Sequence, residues 1–240
     1  MTNTRQIKTF IGAMLLASAA TVGYAISTSH SLHLYFALAV LALAAATSRM
    51  KVKLPGINGN MSMNLPFLLT AAINLSALEV VLITCISTAV QCWPRKGAKL
   101  NLQQMSFNLG MMAFATASAS LVFHRLGHLQ WSANPVGLIL AALTLFLGQT
   151  VPVAGIVGVS EDKSALQTWS SVALLSFPYY VVSAGITSMV QAVSAHLGWE
   201  LALAVFPVMY VIHRSYKLYF SGMAETMRSE LMVRAAGAGA

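Results

Sequence analysis

Four long stretches almost free of charge leave this chain few folds to adopt. Residues 9–48 hold no Asp, Glu, Lys or Arg; residues 54–94 hold only Glu79, residues 100–160 only Arg125, and residues 164–213 only Glu200. Each runs for about 40 to 60 residues, whereas one helical membrane crossing takes about 20. Each stretch is therefore expected to hold two crossings joined by an uncharged turn. Lipid offers backbone amides no partner, so such crossings are α-helices, and the strand alternation of a membrane β-barrel is not visible. The spacing predicts helices near residues 8–27, 31–48, 61–76, 78–93, 103–128, 133–157, 170–196 and 199–220. Ser27–Ser31, Gln130–Pro135 and His196–Gly198 supply turns for the first, third and fourth pairs. The second pair is short, with Asn74 and Ser76 near its joint, and is expected to be tilted or re-entrant if it does not cross fully.

Composition removes the soluble alternatives. Only 8% of the residues are charged and 57% are hydrophobic, against roughly 25% charged in ordinary globular chains. The mean hydropathy of +0.71 agrees. A soluble enzyme, a nucleic-acid-binding domain, a disordered regulator and a disulfide-knotted module are all poor fits.

The formal charge of +8 then has a topological explanation. Eight crossings with the N-terminus inside place Arg5, Lys8, Arg49, Lys51, Lys53, Arg95, Lys96, Lys99, Lys163, Arg214, Lys217, Arg228 and Arg234 in the cytoplasm, leaving only Arg125 outside. Merging residues 61–93 into one crossing would spoil this asymmetry, so the positive-inside rule favours an even number there. Trp93 and Trp169 fall at inner boundaries, Trp131 and Trp199 at outer ones, as an aromatic belt requires. The expected architecture is an all-α, polytopic integral membrane bundle of about eight transmembrane or re-entrant helices, multi-pass in the cell inner membrane, with both termini cytoplasmic. Residues 1–222 form one transmembrane domain, and residues 223–240 a short polar helix and a flexible Ala/Gly tail. Arg5 and Lys8 before an apolar run ending at Val22–Ala25 resemble a signal peptide. The next apolar segment follows at once, so an uncleaved first helix is expected. The charge implies no nucleic-acid partner.

Function is expected where polarity persists inside apolar segments, because an ionisable group there is a functional candidate by default. Glu79 is the clearest case. Ser76 and Glu79 also have capping-box spacing, so a helix cap and a ligand or partner contact both stay open. Gln104 and Asn108 are four apart and share a helical face; they suit a ligand, or a neighbouring helix. Gln149 before Pro152, and Tyr179 after Pro178, sit where a proline frees a backbone carbonyl, and such helices often line cavities. Asn74, Glu79, Gln104, Asn108, Gln149 and Tyr179 are thus the candidate ligand contacts. Small residues at Ala13 and Ala17 would let another helix approach closely, either a partner or the bundle itself. Cys85 and Cys92, seven apart, are expected to pack rather than form a disulfide or metal pair.

Histidines His30, His33, His124 and His128 gather at the outer boundary, but there is no HExxH, no CxxCH and no mid-membrane pair for haem. No metal or cofactor is expected. P-loop, GxSxG, kinase and DxD patterns are also missing, so catalysis is not expected.

Leu54-Pro55-Gly56 and Met61-Ser62-Met63, followed by a short apolar pair, then Ser106-Phe107-Asn108 and the Tyr210–Tyr219 exit helix, resemble the multi-helix membrane sensor region that precedes HD-GYP-type phosphohydrolase domains in bacterial signalling proteins. The resemblance covers most of residues 50–222. It implies a region that senses a cue and relays it through the exit helix, with the output domain on another chain, since only about 20 residues follow the last crossing here. A second likeness, through Ala13, Ala17 and the short 61–93 pair, is to substrate-capturing subunits of energy-coupling-factor transporters, which usually have six helices. The leading expectation is a non-enzymatic sensor that binds a small or lipophilic ligand between helices and signals to a cytoplasmic or membrane partner. Substrate capture for transport, or an accessory role in a membrane complex, are the alternatives.

Overall fold

The computed structural model describes residues 2–27, 32–53, 55, 60–94, 99–126, 135–161, 163–197 and 201–237. They form eight helices and one small hairpin: α1 (Thr2–Ser27), α2 (Leu34–Ser48), strands β1 (Lys51–Lys53) and β2 (Asn60–Ser62), α3 (Leu65–Asn74), α4 (Ala77–Cys92), α5 (Leu102–Leu126), α6 (Pro135–Glu161), α7 (Ala165–Leu197) and α8 (Leu201–Gly237). Four of them, over Thr4–Ser27, Leu102–Arg125, Pro135–Glu161 and Ala165–Ala192, are long and apolar enough to cross a membrane.

Two features depart from the spacing-based expectation. The stretch expected as a helix from residue 61 begins instead as β2, which pairs antiparallel with β1 in the register Lys51–Ser62, Val52–Met61, Lys53–Asn60. What remains of that helix is α3, whose 10 residues reach only about 15 Å at 1.5 Å per residue. The exit helix continues into the polar segment as expected, but as one 37-residue helix, α8, that runs on to Gly237, into the Ala/Gly run expected as a flexible tail. Pro152, Pro178 and Pro207 lie inside α6, α7 and α8 without ending them. The predicted turns at residues 28–31, 130–134 and 198, with His30, His128, Trp131 and Trp199, lie outside the described residues.

α5 sits at the centre, packed against α1, α3, α4 and α6. Small side chains make that possible: Ala113, Ala115, Ala117 and Ala119 are all buried. A Cβ added to Gly148 of α6 would lie 2.9 Å from the Ala115 Cβ and 3.1 Å from its Cα. Only glycine allows α5 and α6 to approach this closely, and small-residue contacts of this kind are how helices associate without a hydrophobic drive. Large apolar side chains point outward instead: Leu16, Tyr35, Leu82, Leu140, Leu174 and Val181 are all exposed. Large apolar side chains thus cover the outside as well as fill the core, where Phe107, Leu145 and Met209 are buried.

α3 is the exception to this layering. Every residue from Leu65 to Ile73 is buried, because α2, α4, α5 and α7 surround it. Pro66 at its first turn needs no intrahelical N–H partner. Val52 and Met63 are buried too, so the hairpin and the turn after it are each anchored to the bundle by one side chain, while Lys53 and Asn60 stay exposed.

Candidate functional site

Beneath this hairpin lies a cavity of about 590 Å³, lined by the start of α1, the ends of α4 and α6, the first halves of α5 and α7, and the hairpin itself. Lys99 and Asn101, just before α5, and Ser160, at the end of α6, are among its lining residues. Its wall is rich in carboxamides: Asn60, Asn64, Gln91, Asn101, Gln103, Gln104, Asn108 and Gln149. Lys51 and Lys99 add positive charge, and none of the described lining residues is acidic.

The deep end is built around α3. The Leu65 N–H, one of the amides a helix start leaves unpaired, donates to Tyr179 Oη at 3.2 Å. Thr187 Oγ1, two turns further along α7, donates to the Pro66 carbonyl at 3.2 Å. Tyr179 is fully buried and lies about 21 Å along α7 from its first residue at 1.5 Å per residue. Beside it, Tyr180 Oη donates to Gln149 Oε1 at 2.6 Å, and the Tyr180 ring packs edge-on to Phe146 at 5.0 Å. Trp169 Nε1 donates to Thr150 Oγ1 at 3.2 Å, tying the wall between α6 and α7. Nearer the mouth, Asn108 Nδ2 donates to Cys92 Sγ at 3.4 Å. Asn101 Oδ1 accepts from the Gln104 N–H at 3.1 Å and so caps α5.

Three buried polar atoms on lining residues have no hydrogen-bond partner among the described residues: Asn64 Nδ2, Thr88 Oγ1 and Gln149 Nε2. A fourth, Thr84 Oγ1, lies one turn from Thr88 away from the cavity. Each such group costs about 1–3 kcal/mol when nothing satisfies it, and native structures hold few. That three border one cavity makes its wall the least satisfied part of the described interior.

Four of the six candidate ligand residues, Gln104, Asn108, Gln149 and Tyr179, line this cavity although they come from three helices. Asn74 and Glu79 do not. Asn74 donates to the Thr70 carbonyl at 2.9 Å and closes α3 on itself. Glu79 completes the capping box of α4: Ser76 N–H and Ser76 Oγ donate to Oε2 at 3.0 and 2.7 Å. Its other oxygen, Oε1, accepts the His33 N–H at 2.6 Å. One carboxylate therefore serves the N-termini of α2 and α4 together, where both helix dipoles favour negative charge. At the same end Arg125 of α5 reaches the Tyr24 hydroxyl and ring of α1.

Ala13 and Ala17 face away from the bundle; α1 turns Ile11, Met14 and Ser18 inward instead. Both cysteines are free, and Cys92 lines the cavity. Among the described residues there is no group of three or more metal-ligating side chains. Asn64 and Thr88 were missed from sequence. Asn64 falls in a stretch that resembles a helix start, and Thr88 is one of many hydroxyls on an apolar helix.

The cavity leads outward through aromatic rings. Tyr179 packs edge-on to Tyr216 of α8 at 6.0 Å, and Tyr216 to Phe220 at 5.8 Å. The ring of His213, also on α8, lies 3.5 Å from the Lys51 carbonyl of β1. Comparison with family models, curated proteins and solved structures finds no match.

Proposed function

We propose that this chain is a multi-pass protein of the cell inner membrane that binds a small ligand in the carboxamide-lined cavity and relays its occupancy through α8. Both termini and the cavity mouth face the cytoplasm, the side to which the basic residues belong. The observation that carries the reading is the double role of Tyr179. Its hydroxyl holds the buried start of α3 at the cavity floor, and its ring touches Tyr216 on α8. A ligand that shifts the floor therefore displaces the helix that leaves the membrane. Non-helical backbone is tolerated where it lines a cavity, and the hairpin supplies it here. This sensor reading keeps the likeness to the membrane region ahead of HD-GYP-type domains.

Purification from native membranes tests it. A small molecule should co-purify and be lost from an Asn64→Leu/Gln149→Leu chain, and hydrogen exchange over residues 213–226 should differ between loaded and stripped protein. Equal exchange in the two states refutes the relay.

One observation favours a second reading, substrate capture for a transporter. Ala13 and Ala17 present a small-residue stripe outward, where a coupling partner could dock. Co-purification of an ATPase and its membrane coupler, lost on Ala13→Leu/Ala17→Leu, would decide for it.

A further inference from the structure

The chemistry of the cavity wall narrows the ligand, and this step rests on the binding reading above. A carboxamide can present either its oxygen or its NH2 group, and at Gln149 the choice is made by a neighbour. Tyr180 Oη donates to Oε1 at 2.6 Å, which occupies one of that oxygen's two lone pairs and fixes the amide, while Nε2, the donor, has no partner among the described residues. Asn64 is 3% exposed, and its Nδ2 is likewise unpartnered among the described residues. Two unsatisfied NH2 groups and the Thr88 hydroxyl thus belong to residues that line the cavity. Lys51 and Lys99 also line the cavity, and none of the described lining residues is acidic. Unpaired donors and cations in one wall fit one class of molecule and repel its opposite. A cation would meet Lys51 and Lys99, and N–H groups that cannot accept its protons.

We infer that the cavity takes a small oxyanion-bearing ligand, one that presents carboxylate or phosphate oxygens to Asn64 and Gln149. Tyr180 is the positioning residue that fixes the Gln149 amide and so sets this preference. The oxyanion can belong to a soluble metabolite or to a lipid headgroup; the chemistry is shared.

Three four-carbon probes separate the terms: succinate carries acceptors and negative charge, succinamide carries both donors and acceptors without charge, and putrescine carries only donors and positive charge. Inorganic phosphate is the fourth probe. Binding is read on the full chain in phosphatidylcholine nanodiscs through Trp169, which bonds the lining residue Thr150, after Trp93, Trp131 and Trp199 are replaced by Phe. Succinate or phosphate should bind, succinamide more weakly, and putrescine not at all. Gln149→Glu, which replaces the donor with an acceptor, should weaken succinate by about tenfold or more, the loss of one good hydrogen bond. Tyr180→Phe, which leaves the wall shape intact and frees the amide to turn, should shrink the ratio of succinate to succinamide affinity without altering the melting temperature by a comparable amount. In phosphatidylglycerol nanodiscs, competition between succinate and lipid assigns the oxyanion to a headgroup; its absence assigns it to a soluble molecule. Putrescine binding as well as succinate, no binding by either oxyanion, or an unchanged selectivity ratio in both variants overturns the inference. None of these results touches co-purification or the exchange change in α8, so the ligand class and the sensor reading fail separately.

Discussion

Replacing Glu79 by Ala should damage the fold and spare the binding site, although Glu79 is the most conspicuous polar residue of its apolar stretch. Its carboxylate is 6% exposed and accepts three hydrogen bonds, from His33 N, Ser76 N and Ser76 Oγ. Loss of a helix cap costs about 0.5–2 kcal/mol, and here one group caps α4 while it also holds the first N–H of the α2 terminus. Hydrogen bonds to a charged acceptor are worth about 1.5–3 kcal/mol each before the orphaned donors relax. Relaxation is easier for the Ser76 hydroxyl, which can rotate, than for the His33 amide, which cannot. The expected loss is therefore about 3–5 kcal/mol, near the size of breaking a buried charged network. At 2–4 °C per kcal/mol for a chain of this length, the melting temperature should fall by roughly 10 °C. Glu79→Gln keeps one acceptor oxygen for either His33 or Ser76 and should lose about half as much. The assay is thermal unfolding of both variants in nanodiscs, with oxyanion binding measured well below the transition. Binding should stay within about twofold, since Glu79 lines no part of the cavity and distant sites add independently. A variant that melts like the parent but no longer binds would refute the cap and restore Glu79 as a ligand contact.

Gly148→Ala should cost about 1–3 kcal/mol by overpacking, because its methyl would meet the Ala115 Cβ and Cα rather than a flexible side-chain tip; Gly148→Leu should fail to fold, and both are read by thermal melting. Ala13→Leu and Ala17→Leu, by contrast, should leave melting within about 0.5 kcal/mol of the parent, as outward substitutions do; a large loss would mean that the bundle itself uses this face. Cys92 should react with a water-soluble methanethiosulfonate through the cavity mouth and be slowed by phosphate, while Cys85, which does not line the cavity, should react far more slowly; mass spectrometry of the labelled peptides checks both.

Much of this architecture was legible because lipid imposes strict rules on sequence. A charge-free run of 40 residues between Thr9 and Ser48 has few soluble uses, and the helix ends follow within about three residues at α2, α4 and α5, whereas α1 ends as expected but starts six residues earlier, at Thr2. The capping box at Ser76 and Glu79 was equally readable, since its spacing is fixed by one helical turn. The hairpin was not. Lys51-Val52-Lys53 and Asn60-Met61-Ser62 are too short to show a strand period, and Met61–Asn74 is apolar enough to pass for a longer helix. Its pairing is decided by what surrounds it, with Val52 and Met63 buried, and tertiary context of that kind leaves little trace in a local pattern.

The site shows the same division between local and distant information. Gln104 and Asn108 declared themselves by helical spacing, and Gln149 and Tyr179 by the prolines that follow or precede them. Those prolines end neither helix, so the physical reason for choosing them differs from the one that places them at the cavity. Gln149 and Tyr179 lie there because α6 and α7 pack against each other and α7 also packs on the short helix α3, whose start lines the cavity. Shortening one helix of a bundle creates both the space and the unpaired start of that helix, and Tyr179 answers the second need by accepting from Leu65. The cavity, its unsatisfied wall and its ring contact to α8 at Tyr216 thus follow from a single departure from regular crossing. Restoring regularity should abolish all three. Filling the floor with Asn64→Phe would remove the space while leaving each helix intact, and a chain so altered that still binds an oxyanion at parental affinity would show that the ligand sits elsewhere.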